Sequence, residues 1–368
     1  MKTIFDKIDL NSLDKSNWCS FRFEEIAQKI SKTIKPEEAE VDIYVGLEHL
    51  DAEDIHIRRK GVPSDVKGGK LRCYPGDIIF GKRRAYQRKA AIVDFDGICS
   101  AHAFVFRAKT EVIDPKLFPF FLHSDQFMHR MVDISVGGLS PTINWGDLKD
   151  QEFLLPPKEQ QAKLAQLLWA MDNVIEREKE VLSKTETIKN CLFKNFTNDG
   201  EDWTKYKIGD LMTFNYGSAL KESIRVNGEY SVITSSGYQG SHNEFLSQGP
   251  GIVVGRKGNV GQVTWVEENF WTTDTAYFIQ VKEEFEHIPL KFFYYLLIAS
   301  NLKKNSIATA VPGLNRDDAL MTKVYLPEKK VLESYLRKFN SLDEKLLDIE
   351  AKIESSRTLQ KSLINQIF

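Results

Sequence analysis

A run of cations around one tyrosine contains the side chains best suited to hold an anion. It follows the strand-like segment 77–80, and its cations are placed to pair with phosphate oxygens while the tyrosine packs on a sugar or a base. A charged hairpin in solvent explains the pattern equally well. The residues are Lys82, Arg83, Arg84, Tyr86, Arg88 and Lys89.

A second candidate group lies in the other half of the chain, where glycines interrupt a polar stretch at 235–243. We expect a loop there, with side chains that both donate and accept hydrogen bonds and are therefore able to read base edges. A plain turn-rich loop is the alternative. Arg256, Lys257 and Asn259 would supply phosphate contacts close by. The candidate readers are Ser235, Ser236, Tyr238, Gln239, His242 and Asn243.

Known catalytic patterns are missing from the sequence. The glycine-rich segment 255–261 lacks the lysine and hydroxyl of a nucleotide-phosphate loop, and the seven histidines form no closely spaced ligand pattern. The group Asp65-Val66-Lys67 and the pair Asp94 and Asp96 are short patterns, best interpreted as solvated turns. The prolines of Leu155-Pro156-Pro157-Lys158 lack the polar and aromatic residues of a methyltransferase motif. We therefore expect no catalytic residue, no metal site and no cofactor in this chain.

The chain contains an internal repeat. GDIIFGKRR at 76–84 resembles GIVVGRKG at 251–258, and the segment 115–122 aligns with 289–296. The sequence therefore predicts two similar units, each about half of the chain.

Each half ends in a stretch whose apolar residues are spaced alternately four and three apart, as in a coiled coil. One heptad frame fits both stretches, which favours pairing with each other over two amphipathic helices that pack on separate domains. A helix of 33 residues would be about 50 Å long. The apolar seam of the first stretch is Leu164, Leu168, Met171, Ile175, Leu182 and Leu192, and that of the second is Tyr335, Phe339, Leu342, Leu346, Ile349, Ile353, Leu363 and Ile367.

The segments before each helix have short β-type runs separated by Gly, Pro, Asn and Asp, which predicts mixed α/β heads in an α+β fold. Two heads with different polar loops on a rigid helical spacer suit a reader of two unlike DNA half-sites, since one turn of B-DNA is about 34–36 Å. The predicted division is a first head at 1–155, a helix at 156–199, a second head at 200–327 and a helix at 328–368.

Composition is that of an ordinary globular chain: 368 residues, 42% apolar and 28% charged, with a net charge of −2. This charge argues against a uniformly basic nucleic-acid binder, although cations cluster locally. Cys19, Cys73, Cys99 and Cys191 form no CxxC pair, so we expect no disulfide framework. Since no apolar run is long enough to span a bilayer, a cytoplasmic protein without membrane contact is expected.

The ordered motifs PGDIIFGKRRAYQRKAAIVDFDGICSAHAFVF, GGLSPTINWGDLKDQEFLLPPKEQQAKLAQLL and AVPGLNRDDALMTKVYLPE closely resemble the specificity subunit of type I restriction-modification systems. The resemblance covers nearly the whole chain. It implies that the heads are target-recognition domains for a bipartite double-stranded DNA sequence. It further implies that the two helices pair antiparallel and dock two methyltransferase subunits in a complex for phage defence.

The resemblance also implies chemistry in partner subunits. The methyltransferase subunits would bind S-adenosylmethionine and methylate adenine, and a restriction/translocase subunit would use ATP and magnesium. One departure is that Pro156-Pro157-Lys158-Glu159-Gln160 precedes the first helix while Pro327-Glu328-Lys329-Lys330-Val331 precedes the second, so the two docking surfaces are expected to be unequal. A coiled-coil adaptor without DNA readout and a nuclease or nuclease-associated fragment are the alternatives.

Overall fold

The computed structural model describes residues 15–197, 203–307 and 313–368. The chain divides into two compact units, Met1–Glu180 with Glu350–Phe368 and Val181–Ile349. Each unit therefore combines one head with part of both long helices. The predicted boundary at 199/200 lies outside the described residues, and the sequence-based division into four segments stays a prediction.

The head of the first unit contains two four-stranded sheets, ordered β2-β9-β6-β7 and β3-β5-β8-β4, and the pair β1-β10. A phenylalanine-rich core packs on the first sheet, with Phe23 5.0 Å from Phe106 and 5.5 Å from Phe127. The elements are β1 Cys19–Arg22, α1 Phe23–Ile26, β2 Ala27–Ile30, β3 Thr33–Ile34, β4 Tyr44–Val45, β5 Lys70–Cys73, β6 Ile78–Gly81, β7 Ala90–Ile92, β8 Gly97–Cys99, β9 Ala103–Ala108, α2 Phe118–His123, α3 Asp125–Asp133, α4 Trp145–Lys149, β10 Glu152–Leu155 and α5 Lys158–Thr197.

The head of the second unit has the four-stranded sheet β12-β18-β15-β16, the three-stranded sheet β14-β13-β17, and the pairs β11-β21 and β19-β20. Its elements are β11 Thr204–Lys207, α6 Ile208–Leu211, β12 Met212–Tyr216, β13 Tyr230–Thr234, β14 Gly237–His242, β15 Gly251–Gly255, β16 Val263–Val266, β17 Phe270–Thr272, β18 Ala276–Val281, α7 Leu290–Ala299, β19 Ser306–Ile307, β20 Gly313–Leu314, α8 Arg316–Leu320, β21 Lys323–Leu326 and α9 Lys329–Ile367.

The two heads repeat one architecture. The buried strand β6 is third in its four-stranded sheet, as β15 is in the corresponding sheet of the second head. The main-chain hydrogen bond from Ile143 N to Lys82 O, 2.9 Å, has a counterpart from Leu314 N to Arg256 O, 2.8 Å. The α+β fold with two repeated heads and two long helices is the one that the sequence predicts.

Helix α5 starts directly after Pro157, and α9 starts two residues after Pro327; proline cannot donate a main-chain hydrogen bond and is tolerated at a helix start. In the second unit α5 and α9 run antiparallel, because Lys189, Phe193 and Phe196 of α5 meet Asp343, Phe339 and Tyr335 of α9 in that order. In the first unit Gln360 Nε2 donates to Leu168 O at 3.5 Å. None of the described helices combines the length and the apolar character that a bilayer crossing requires.

The heads hold these helices through different cores. In the first unit Leu164 and Leu168 of α5 share an apolar cluster with Leu363 and Ile367 of α9 and with Phe120 of the head. In the second unit the cluster is aromatic: Phe339 stacks 4.5 Å from Phe193 and 4.6 Å from Tyr295. Each unit therefore packs its own section of the helix pair in a separate core.

Candidate nucleic-acid interface

The cation run of the first head forms the connection of the antiparallel hairpin β6–β7. Arg84 and Arg88 have left-handed backbone conformations, with φ of 58° and 52°, on either side of the 3-10 turn Ala85–Gln87. Residues other than glycine seldom adopt this backbone conformation, so the loop has a specific shape. That shape leaves the Tyr86 ring 55% exposed.

The predicted cations divide into two groups. Arg88 pairs with Glu53 at 2.8 Å and with Asp125 at 2.6 Å, while Lys89 Nζ donates to Leu47 O at 2.6 Å. These contacts fix the loop to its own head and leave little of either charge for a ligand. Lys82 is half-buried, Arg83 and Arg84 are exposed, and Arg84 Nε donates to Ser140 Oγ at 3.2 Å.

The polar segment of the second head is not the loop that its sequence predicts, because residues Gly237–His242 form strand β14 of a hairpin with β13. The glycines permit the bends, since Gly237 and Gly240 have φ of 91° and 90°. Tyr238 is 67% exposed, and Gln239, Ser236 and Asn243 are exposed as well. The hairpin therefore presents polar and aromatic side chains to solvent from a rigid ladder.

Two of the predicted readers lie inside the head. Ser235 is buried and its main-chain N–H donates to Thr275 Oγ1 at 3.2 Å. His242 is buried with its ring 5.3 Å from that of Trp271, and its Nδ1 accepts from Val226 N at 3.2 Å. Both residues support the hairpin from within.

The segment 256–259 lies beside this hairpin. Asn259 Nδ2 donates to Ser236 Oγ at 3.2 Å, and both residues are exposed. Lys257 is exposed, while Arg256 is half-buried and donates from Nη1 to Asp274 O at 3.0 Å. The structure therefore brings together the two parts of the second candidate group.

Arg225 is a hairpin support that the sequence analysis missed. Its Nη1 donates to Gln239 O at 2.7 Å and its Nη2 to Leu220 O at 3.4 Å. An open hollow of about 480 Å³ lies here, lined by Glu222, Arg225, Asn227, Tyr238, Gln239, Gly240 and Ser241. A lone arginine in a polar segment carries no sequence signal, because only the folded chain brings it to Gln239.

Among the described residues, His56, Asp172 and Glu176 form a group that is close enough to bind a metal ion. Its charges are already paired, since His56 Nε2 lies 2.8 Å from Asp172 Oδ2 and Arg58 donates to both Glu176 oxygens at 2.5 and 2.6 Å. Arg58 lowers the pKa of Glu176 to about 2, and the hydrogen bond with Asp172 raises that of His56. We interpret the group as an ion-pair network that attaches a head loop to α5.

Burial along the long helices follows the heptad frame. Every position of the predicted seams is buried or half-buried, from Leu164 and Leu168 in α5 to Leu363 and Ile367 in α9. Lys189, which continues the heptad frame between Leu182 and Leu192, pairs with Asp343 of α9 at 2.5 Å, next to the seam residue Leu342. A polar residue at such a position fixes the register of two helices.

Residues 15–187 and 200–356 match the family model described as the type I restriction modification DNA specificity domain. The chain belongs to this family. A curated member, the type I restriction enzyme EcoDI specificity subunit of Escherichia coli, is 26% identical over 220 residues, which are 57% of this chain and 48% of that protein. The chain thus spans about half the length of this curated relative.

Two solved structures have the same fold as this specificity-domain chain. The S subunit of a type I restriction-modification system from M. genitalium has a TM-score of 0.63 at 16% identity, covering 97% of this chain and 98% of that one. A chain from a structure on complex assembly and conformational transition of the type I R-M system has a TM-score of 0.60 at 16% identity, covering 95% and 97%. These likenesses extend over both heads and both helices.

Proposed function

We propose that this chain is the DNA-sequence specificity subunit of a type I restriction-modification complex, in which each head reads one half of a bipartite target. One observation carries the proposal. The two heads repeat the order of one four-stranded sheet, yet they present different outward side chains: Tyr86 with Arg83 in the connection after β6, and Tyr238 with Gln239 on β14. Repeated frames with unlike surfaces suit the reading of two unlike half-sites.

In this proposal α5 and α9 set the distance between half-sites and dock two methyltransferase subunits. The second unit supports such docking, because Val181 and Ile188 are 49% and 58% exposed one heptad apart on α5, and Leu347 of α9 is 67% exposed. Exposed apolar side chains on a helix suit a protein partner. The chain itself is non-catalytic in this proposal. S-adenosylmethionine would bind to the methyltransferase subunits, and ATP with magnesium to a restriction/translocase subunit.

The test is co-expression of this chain with its cognate methyltransferase subunit, followed by sequencing of host DNA for modified bases. The expected result is one split motif with an unread gap. The double variant Tyr238→Ala/Gln239→Ala should change the bases of one half-motif only, because it alters one reading hairpin. Gln248→Ala, an exposed glutamine elsewhere in that head, is the matched control and should leave the motif unchanged. An assembled complex that modifies no DNA would contradict the proposal and favour a coiled-coil adaptor.

A separate experiment addresses the exposed cations of the first head. The double variant Arg83→Ala/Arg84→Ala should weaken DNA binding about equally for all sequences and lower its salt dependence, because phosphate contacts carry no sequence information. Lys67→Ala changes an exposed charge elsewhere in the same head and serves as the control. Unchanged affinity in the double variant would exclude these two arginines as phosphate contacts.

A further inference from the structure

In both heads a cation lies over an aromatic ring directly after the third strand of a four-stranded sheet. Lys82 is the first residue after β6 and Arg256 the first after β15, and both accept the corresponding main-chain hydrogen bond at their carbonyl oxygens. Lys82 Nζ lies 5.2 Å from the Phe104 ring, and Arg256 Cζ lies 5.9 Å from the Tyr277 ring. The last residues of β6 and β15 are glycines, which pair with Ala103 and Ala276. Phe104 and Tyr277 are the next residues, so the two rings occupy corresponding positions.

Each cluster also contains a second cation and a second ring. The elements that supply the cation and the ring are exchanged between the two heads. In the first head β2 supplies the cation Lys29, which lies 5.7 Å from the Trp145 ring at the start of α4. In the second head β12 supplies the ring, Tyr216, and the cation is Arg316 at the start of α8, 5.2 Å away. Arg256 lies 4.9 Å from Tyr216. Two cations and two rings are thus assembled twice from different sequence positions.

The charges of these clusters have little compensation within the protein. In the part of the chain that the structure describes, no carboxylate lies within 4.0 Å of the side-chain nitrogens of Lys29, Lys82 or Arg256. Arg316 Nε lies 3.7 Å from Asp317 Oδ1, whose side chain is 82% exposed, and makes no hydrogen bond. Burial and then the Lys29 charge lower the pKa of Lys82. The aromatic faces stabilise the cations only modestly, so an anion between them would relieve their mutual repulsion.

We propose that Lys29 with Lys82, and Arg256 with Arg316, each bind a backbone phosphate of double-stranded DNA beside the reading surface of their head. This inference rests on the proposed function and adds the residues that hold the duplex in register. The rings position the cations: Phe104 and Tyr277 are buried, Trp145 is half-buried, and Tyr216 is exposed. A phosphate in either cluster would lie next to the segments that begin at residues 82 and 256.

The test measures binding of the full chain to a random-sequence duplex by fluorescence anisotropy over a series of KCl concentrations. The variants Lys29→Gln/Lys82→Gln and Arg256→Gln/Arg316→Gln should each reduce the slope of log affinity against log salt by about one, because each loses the phosphate contact of its cluster. The charge-preserving variants Lys29→Arg/Lys82→Arg and Arg256→Lys/Arg316→Lys should keep the slope, which separates charge from folding.

Two single-charge controls, combined as Lys60→Gln/Lys205→Gln, match the change in charge. Lys205→Gln removes a cation that also lies over a ring, 5.9 Å from Tyr325, and Lys60→Gln removes one that is paired with Asp94. The combined control should lower the slope less than the double variants of the clusters do. Slopes in those double variants equal to that of the control would overturn the inference while leaving the proposed function intact. A wild-type chain that binds no duplex would overturn both.

Free phosphate is the other source of the same chemistry, and thermal unfolding in inorganic phosphate against KCl of equal ionic strength distinguishes it. Stabilisation of the wild type by phosphate that is lost in the double variants, with unchanged DNA salt slopes, would assign the clusters to a free anion and overturn the inference. Reduced DNA slopes with no phosphate effect would support duplex binding. In that case the clusters would bind phosphates only when these belong to the backbone of a DNA strand.

Discussion

The two heads hold the same helix pair by different chemistry. In the first unit the attachment adds polar contacts to the apolar cluster around Phe120: His56 and Arg58 bind Asp172 and Glu176 of α5, and buried Gln161 bonds to main-chain groups. In the second unit it is aromatic, with Phe339 stacked between Phe193 and Tyr295. A repeated fold therefore conserves the path of the chain without conserving the forces that fix it. A polar contact requires a complementary hydrogen-bonding or charged group, whereas an aromatic contact mainly requires that the rings fill the available volume.

The start of each helix shows this difference most clearly. Gln161 Nε2 donates to Val112 O and to Pro156 O, both at 2.9 Å, and its Oε1 accepts from Asp114 N at 2.6 Å. The corresponding residue in α9 is Leu332, which is buried in the apolar core. The Gln-rich start of α5 thus contributes to the first head itself, and its absence in α9 reflects a different core.

The largest expected effect comes from the aromatic attachment. Phe339→Ala should cost about 3–5 kcal/mol, because it removes a fully buried ring and leaves a cavity. Urea denaturation measures the free energy of unfolding, and hydrogen exchange should show the loss in α7 and α9 of the second unit first. Leu347→Ala, an exposed residue of the same helix, should change the free chain little. Equal loss in both variants would show that the aromatic stack does not carry the attachment.

The polar attachment is tested next by Gln161→Leu, which gives α5 the residue that α9 has. We expect a loss of about 1–3 kcal/mol, because three main-chain groups that are buried or partly buried lose their partner. Gln166→Leu makes the same change at an exposed position of α5 and should be nearly neutral. A neutral Gln161→Leu would mean that the two helix starts are interchangeable, contrary to the comparison.

Arg58→Met is expected to have a smaller effect, about 1 kcal/mol, since solvent screens a side chain that is 31% exposed. Loss of Arg58 should also return the pKa of Glu176 from about 2 towards its ordinary value, measurable by NMR titration of that carboxyl. The matched change Arg59→Met removes a more exposed arginine that pairs with Asp51, and it should leave Glu176 unaffected. An unshifted Glu176 in Arg58→Met would show that the bidentate contact is absent in solution.

The smallest effect is a dependence on pH that only the first unit should show. The hydrogen bond with Asp172 raises the pKa of His56, against partial burial and the nearby Arg58 charge. Its stabilisation is therefore complete below the ordinary pKa of 6.5 and is lost as the pH rises through the folded value. Hydrogen exchange of 51–58 at pH about 6 and 8 should reveal this loss in the wild type but not in His56→Gln. The same pH response in both would assign it to another group.

Much of the architecture can be predicted from the sequence because it rests on local patterns. The heptad spacing predicts two long helices, found at Lys158–Thr197 and Lys329–Ile367, and the repeated GDIIFG and GIVVG segments are β6 and β15. Such patterns depend on the periodicity of apolar residues, which does not require knowledge of distant partners.

The candidate sites are less predictable because they depend on distant partners. Arg88 belongs to a cation run, yet Glu53 and Asp125 take up its charge. Conversely, Lys29 and Arg316 lie in segments without a sequence signal, and they reach the clusters through the pairing of β2 with β9 and from the start of α8. The segment 237–242 becomes a strand despite its glycines, because β13 supplies a partner ladder.

The composition of the first unit from two distant stretches has a consequence for synthesis on the ribosome. Residues 181–349 form a continuous stretch that is complete while the last 19 residues of the first unit, Glu350–Phe368, are still to be translated. Until they emerge, the apolar face of α5 around Leu164 and Leu168 lacks the cover that Leu363 and Ile367 provide. Contacts of such long sequence separation form slowly and leave apolar surface open in the interval. The first head to be made is therefore the last to be finished, and chaperone demand should concentrate on its helix.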